Sequence, residues 1–324
     1  MMQKKPYLVA LLTPVGMGMH GQVMSGLMGA APVKNDFFRV YHFFTRGLSE
    51  EAIRESIEQI LESRFSALVT LGISCAMVAK KVLQEKNVHM PHIFVGVHDP
   101  FAAGLGESPE DLVAHNMTGI LYNPYETVKA MQFLCEAKPN MKSILIATEQ
   151  IASSGAHGRP DWVEGEVATV RSVCEPKGIT VKTYPASSLA ALYNYVNRYI
   201  DTFDTLILLE GTTSLTLYEA LGDVCSRKGK TLFSGLIEPV AQSAAAGYGA
   251  SYESMGEHAA EYLYKLFVEG VPLNRLPLYH DLKGRKPVVN LSLAAHQGLD
   301  PKHLEKVCKE WEGICFIMPK EEDI

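Results

Sequence analysis

The chain reads as an α/β protein made of two doubly wound parallel-sheet lobes joined by a hinge. Three observations predict this. Short apolar runs of strand character alternate with stretches of helical periodicity, the alternation restarts after Gly119, and 324 residues exceed what one ordinary core accommodates.

The first set of strands is expected at Tyr7–Leu12, Phe38–Phe44, Ala67–Leu71 and Ile93–Val97. Between the second and third, Ala52, Ile53, Ile57, Ile60 and Leu61 form an apolar stripe at helical spacing. Ser49 stands before it as an N-cap, and Glu50 and Glu51 favour the positive end of the helix dipole. The second set of strands is expected at Ile144–Ala147, Thr180–Thr183, Thr205–Leu209 and Thr231–Phe233. Helices lie between them at Glu164–Cys174, Leu189–Ile200 and Ser214–Ser226. A long helix over Tyr252–Val268 and a final strand and helix around Val288–Ala295 complete the chain.

Composition narrows the function classes. A hydrophobic fraction of 47% with 20% charged residues describes a globular protein, and a net charge of −6 leaves no electrostatic footprint for nucleic acid. No apolar segment reaches the roughly 18 to 20 residues that span a bilayer. Lys4 and Lys5 before an apolar run look briefly like a leader, but Thr13-Pro14 and a glycine-rich stretch interrupt it, so Tyr7–Leu12 is read as a strand. Either a leader has been removed or the protein stays in the cytoplasm. The six cysteines show no CxxC and no metal-type spacing with histidine. Several sit in apolar helical contexts, which favours a reducing compartment.

Enzymatic signatures are missing: there is no GxSxG, HExxH or GxxxxGK[ST]. His98 adjoins Asp99, but neighbours on a strand point to opposite faces and make a poor relay. Gly16-Met17-Gly18-Met19-His20-Gly21 satisfies GxGxxG after a strand, and Arg46 after the second strand could meet a 2′-phosphate. An NADP-dependent oxidoreductase is therefore carried as an alternative.

Candidate ligand groups gather at the carboxyl ends of the expected strands, the edge at which open α/β sheets bind ligands. Ser74, after the third strand, is either an N-cap or a partner for a ligand carboxylate. Asp99, fixed by Pro100 after the fourth strand, is either a turn carboxylate or an anchor for an ammonium. Thr148 and Glu149 follow one strand of the second set, and Glu210 and Thr212 follow another. Met17, in a loop shared with Met19 and followed by Met24 and Met28, offers an adaptable apolar wall or ordinary packing. Phe101, Tyr122, Tyr125, Tyr248 and Tyr252 could stack on a flat ligand, with Tyr252 preferred.

Two clusters resemble a known family. Asp99-Pro100, Ala103-Gly104-Leu105 and Asn116-x-Thr118-Gly119 form one, and the other comprises Ala246–Ala260 together with Val289–Ala295 and Gly298-Leu299. They are similar to the ABC-transporter substrate-binding proteins that include tryptophan and tyrosine binders. The chain departs from that pattern in its Met-rich first loop, where a His-Pro pair is usual, and in the side-chain length of Glu149 and Glu210.

The resemblance implies a periplasmic-binding-protein-like type I fold with discontinuous lobes, residues 1–121 plus 253–324 and residues 122–252, and a ligand cleft between them. It implies a solute-binding protein of an importer, not an enzyme. Such a protein takes up a small ligand of the amino-acid class, with an aromatic one favoured, and hands it to a membrane permease. No cofactor or metal is expected, and the protein is expected to be a monomer. Its implied location is extracytoplasmic. A cytosolic ligand sensor of the same fold is the other alternative.

Overall fold

The computed structural model describes residues 5–14, 19–47, 49–97, 99–101, 103–121, 127–149, 161–208, 214–280 and 285–316. The chain divides into two units, Met1–Asn123 with Tyr252–Leu282, and Pro124–Ser251 with Lys283–Ile324.

The first unit begins β1 (Tyr7–Thr13), α1 (Met19–Gly29), α2 (Ala31–Lys34), β2 (Phe38–Phe44), α3 (Glu50–Leu61) and β3 (Ala67–Leu71). It continues with α4 (Gly72–Glu85), β4 (His92–Val97), α5 (Pro109–Ala114) and β5 (Met117–Leu121). The second unit runs α6 (Thr127–Ala137), β6 (Ser143–Glu149), α7 (Asp161–Cys174), β7 (Thr180–Ala186) and α8 (Leu189–Tyr199). It then forms β8 (Thr205–Leu208), α9 (Ser214–Arg227), β9 (Thr231–Leu236), α10 (Glu238–Gln242) and β10 (Ala246–Ala250). The chain returns to the first unit for α11 (Tyr252–Phe267) and β11 (Tyr279–His280). It ends in the second with β12 (Lys286–Asn290), α12 (Leu291–Ala294), α13 (Pro301–Glu310) and β13 (Ile314–Phe316).

Strand order is β11-β5-β4-β3-β1-β2 in the first sheet and β13-β12-β10-β9-β8-β6-β7 in the second. Taken by order of appearance, the first five strands of each unit adopt the same 2-1-3-4-5 arrangement. The chain winds to one side of the first strand and then to the other, so each sheet has a switch point, between β1 and β3 and between β6 and β8. The apolar runs form strands because helices cover both faces. In β6, Ile144 and Ile146 join one core while Leu145 and Ala147 join the core on the other side.

Residues 283–324, expected with the first lobe, belong instead to the second unit. β12 pairs antiparallel with β10, and β13 pairs with β12. Side-chain amides hold this tail in place. Asn290 is buried, caps α12 by accepting from Ser292 N (3.1 Å) and Leu293 N (3.2 Å), and donates to the Val240 carbonyl (3.0 Å). Gln297, fully buried, accepts from Leu232 N and Ala245 N at 3.0 Å each and donates to the Ser243 carbonyl at 2.7 Å. Such a satisfied amide orders the chain, because any shift would strand buried donors. Tyr252, expected at the end of the second lobe, falls in the first unit.

The Met-rich stretch is largely helical: Met24 and Met28 lie on α1, and Met28 is exposed. α1 packs directly on α11 through glycines. A Cβ at Gly26 would stand 1.8 Å from the Glu253 carbonyl oxygen, and one at Gly256 would stand 2.1 Å from that of Val23.

Candidate functional site

The carboxyl edge of the first sheet collects three of the expected residues. β3 and β4 are neighbours with Leu71 opposite Val95, so the segments that leave them start side by side. β3 passes directly into α4 through Gly72, whose φ of +78° suits glycine. The N-cap position is Leu71, which supplies no side-chain cap. Ser74 is therefore not the N-cap; it is exposed in the first helical turn, among backbone N–H groups at the positive end of the dipole.

At the end of β4 the pairing with β5 shifts between Val95 and Val97, and Gly96 between them has φ +71°. This bulge redirects the chain that leads to Asp99. The Tyr252 ring lies close by: a Cβ on Gly96 would be in ordinary contact with Tyr252 Cε1, at 3.9 Å. Tyr252, the first residue of α11, is buried at 3% exposure, so it presents a ring beside the bulge and not a free stacking face. Asp99 is half-buried, and its Oδ1 accepts from Phe101 N at 2.9 Å across Pro100, an Asx turn. Ala103 N to the Asp99 carbonyl (3.1 Å) and Leu105 N to the Pro100 carbonyl (2.7 Å) complete the loop.

Thr13 closes β1, fully buried, with its Oγ1 2.7 Å from His42 Nε2 on β2. Burial holds the His42 imidazole below its ordinary pKa. Met17, which follows, lies outside the described residues, as do His98, Tyr122, Tyr125, Glu210 and Thr212.

In the second unit, Thr148 and Glu149 end β6, opposite Pro185 and Ala186 of β7, while the stretch containing Glu210 and Thr212 leaves β8. β6 and β8 are the two strands at the switch point. Tyr248 is a core residue of this unit, edge-on to Trp311 with ring centroids 6.2 Å apart.

Sequence reasoning missed one acidic residue. Phe94-x-Gly96-x-x-Asp99-Pro100 is repeated as Phe233-x-Gly235-x-x-Glu238-Pro239. β4 and β9 occupy the same place in their sheets, and both pair irregularly at this glycine step. Glu238 opens α10 after β9, where Asp99 follows β4. The repeated spacing was the available signal.

Two strongly shifted titratable groups lie away from these edges. His92, at the start of β4, is fully buried, which pushes its pKa down to about 3; its Nε2 is 2.7 Å from Thr70 Oγ1. Lys138 donates to the Asp204 carbonyl and Thr231 Oγ1 at 2.8 Å each, and burial lowers its pKa to about 8. Both groups pack the amino ends of strands. Among the described residues, no group of three or more His, Cys, Asp or Glu could hold a metal ion.

The other residues of the resemblance serve the scaffold. Asn116 takes φ +53° ahead of β5. Thr118 donates to the Leu276 carbonyl at 3.0 Å, tying β5 to the segment before β11. A Cβ on Gly119 would stand 2.1 Å from the Phe94 ring.

A sequence profile for ABC transporter substrate binding proteins matches residues 33–310. The chain belongs to this family. Its members bind ligands and are not enzymes, which sets aside the dinucleotide reading of the Gly16–Gly21 loop. Solved structures agree on the fold of this substrate-binding protein, two parallel-sheet lobes of the periplasmic-binding-protein kind. A Streptococcus pneumonia ABC domain in complex with L-Trp superposes with TM-score 0.75 at 15% identity, covering 95% of this chain and 100% of that one. A ligand-free, open substrate-binding protein with adhesive properties from Clostridium difficile gives 0.66 at 15% identity, with 91% and 95% covered. A solute-binding protein from Agrobacterium vitis with bound allitol gives 0.61 at 10% identity, with 95% and 100% covered. No curated protein matches the sequence significantly. The family is typically extracytoplasmic, and no helix among the described residues is long and apolar enough to cross a membrane.

Proposed function

We propose that this substrate-binding protein takes up an amino acid, its charged ends recognised at the carboxyl edge of the first sheet, and passes it to a membrane permease. The observation that carries this is the adjacency of opposite polarities at the ends of β3 and β4. The α4 start offers N–H groups without a side-chain cap next to an exposed Ser74, and the neighbouring strand leads to the Asp99 carboxylate. A zwitterion needs both: donors for its carboxylate, an anion for its ammonium. Met17 after β1, and Thr148, Glu149, Glu210, Thr212 and Glu238 after the strands of the second sheet, are the further candidates for ligand contact in this reading, and Tyr252 backs the Asp99 segment. L-Trp bound to the Streptococcus pneumonia domain supports an aromatic member of the class.

The allitol bound to the Agrobacterium vitis protein supports a second reading, a polyol ligand, for which acidic residues would accept hydroxyl protons. Thermal-shift screening of L-amino acids and sugar alcohols separates the two. Stabilisation by an L-amino acid is expected; stabilisation confined to polyols refutes the amino-acid reading.

A further inference from the structure

Four of the six cysteines share one core. Cys135 of α6, Cys174 at the end of α7, Cys308 of α13 and Cys315 of β13 all pack on the same face of the second sheet. Cys225 lies in the core on the other face, and Cys75 lies in the first unit.

Within the shared core the thiols meet in pairs. α6 packs against α7, and Cys135 and Cys174, near the carboxyl ends of these two helices, are neighbours in the core. α13 packs against β13 through a turn at Gly313, where a Cβ would lie 2.6 Å from Cys308 Sγ. β13 alternates as a strand must: Ile314 and Phe316 face one core, and Cys315 faces the side that holds Cys308. The Cys308 thiol donates to the Ile314 carbonyl at 3.5 Å, which places its sulfur beside Cys315, the next residue.

We propose that these are two dithiol pairs that close to disulfides, Cys135–Cys174 and Cys308–Cys315, when the chain folds in an oxidising compartment. In each pair one thiolate attacks a low-molecular-weight disulfide such as oxidised glutathione, forming a mixed disulfide and expelling one glutathione thiolate. The second cysteine thiolate then attacks the protein sulfur and expels the other glutathione. The pair loses two electrons and two protons, and the oxidant becomes two thiols. Cys315 is partly exposed and can begin the exchange in its pair; Cys135 and Cys174 are buried, so their bond closes during folding. Spacing along the chain conceals all this, because the members of one pair stand on different helices and those of the other flank a helix–strand turn.

The test needs no solute and stands apart from the amino-acid reading. The full chain is refolded in glutathione buffer with the oxidised form in excess, free thiols are alkylated, and peptides are mapped without reduction. Linked peptides joining Cys135 to Cys174 and Cys308 to Cys315 are expected, with only Cys75 and Cys225 alkylated. Reduction should then lower the melting temperature of the wild type but not of a Cys135→Ala/Cys308→Ala variant. Should that variant fail to fold, the wild-type map decides alone. Alkylation of either pair in the folded protein, or linkage in any other combination, overturns the proposal.

Discussion

Among the described residues, the first sheet adds past its fifth strand only β11, a two-residue parallel strand beside β5, whereas the second adds antiparallel β12 and then β13. The first five strands of the two sheets share one order, and in both sheets the candidate ligand residues among those described lie at or after the carboxyl ends of strands. The difference lies in how each sheet is finished. The first is secured through close helix contact, α1 against α11, and through Thr118 to the Leu276 carbonyl. The second is secured by a C-terminal tail whose buried amides, Asn290 and Gln297, bond to backbone. The residues that finish each sheet are thus different from the candidate ligand residues.

The sharpest way to break the second sheet is at its closest backbone approach. A Cβ on Gly249 would stand 1.6 Å from the Gly235 carbonyl oxygen, so Gly249→Val forces β9 and β10 apart. A loss above about 4 kcal/mol is expected, read as failure to fold or a collapsed denaturation midpoint. The tail's contribution comes next. Gln297→Leu strands the Leu232 and Ala245 N–H groups, and chemical denaturation should show a loss of about 3 kcal/mol.

The units also differ in their response to pH. His92, in the first, has a folded pKa of about 3 against an ordinary 6.5, so its contribution is complete above 6.5 and is lost as pH falls toward 3. Acidifying to about pH 5 should cost about 2 kcal/mol, and His92→Asn should flatten that slope. Glu166, in the second unit, accepts from Thr127 Oγ1 at 2.5 Å, and burial raises its pKa to about 7 from 4.5. Its contribution is present below 4.5 and fades as pH rises through 7, so Glu166→Gln should flatten the limb near neutrality. Denaturation across pH in the two variants checks both signs.

Much of the framework was legible because periodicity reports burial. β2 and β3 match their expected spans, and Ser49 caps α3 by accepting from Ala52 N at 3.2 Å. Elements rich in glycine were not legible. α1 contains Gly21, Gly26 and Gly29, each unfavourable in a helix by about 1 kcal/mol, and packing on α11 overrides that preference. β10, Ala246-Gly247-Tyr248-Gly249-Ala250, reads as a turn, yet its glycines let the backbone approach β9. The tail was misplaced because the pairing of β12 with β10 is a long-range choice that no local pattern states. At the candidate site, Asp99 could be picked out by its place after β4, while Glu238 needed comparison of the two halves. Tyr252 was chosen as an aromatic at the right edge, but its burial makes it a support for that edge.

The most direct test of the account is calorimetric titration of the wild type and Asp99→Asn with the L-amino acid that most raises the melting temperature. Asparagine retains the acceptor for Phe101 N, so the turn should survive and the unliganded stability should change little. Removing the anion from an ammonium contact should weaken binding by about 10- to 100-fold. Unchanged affinity in Asp99→Asn, or binding of sugar alcohols with no L-amino acid bound, would contradict it.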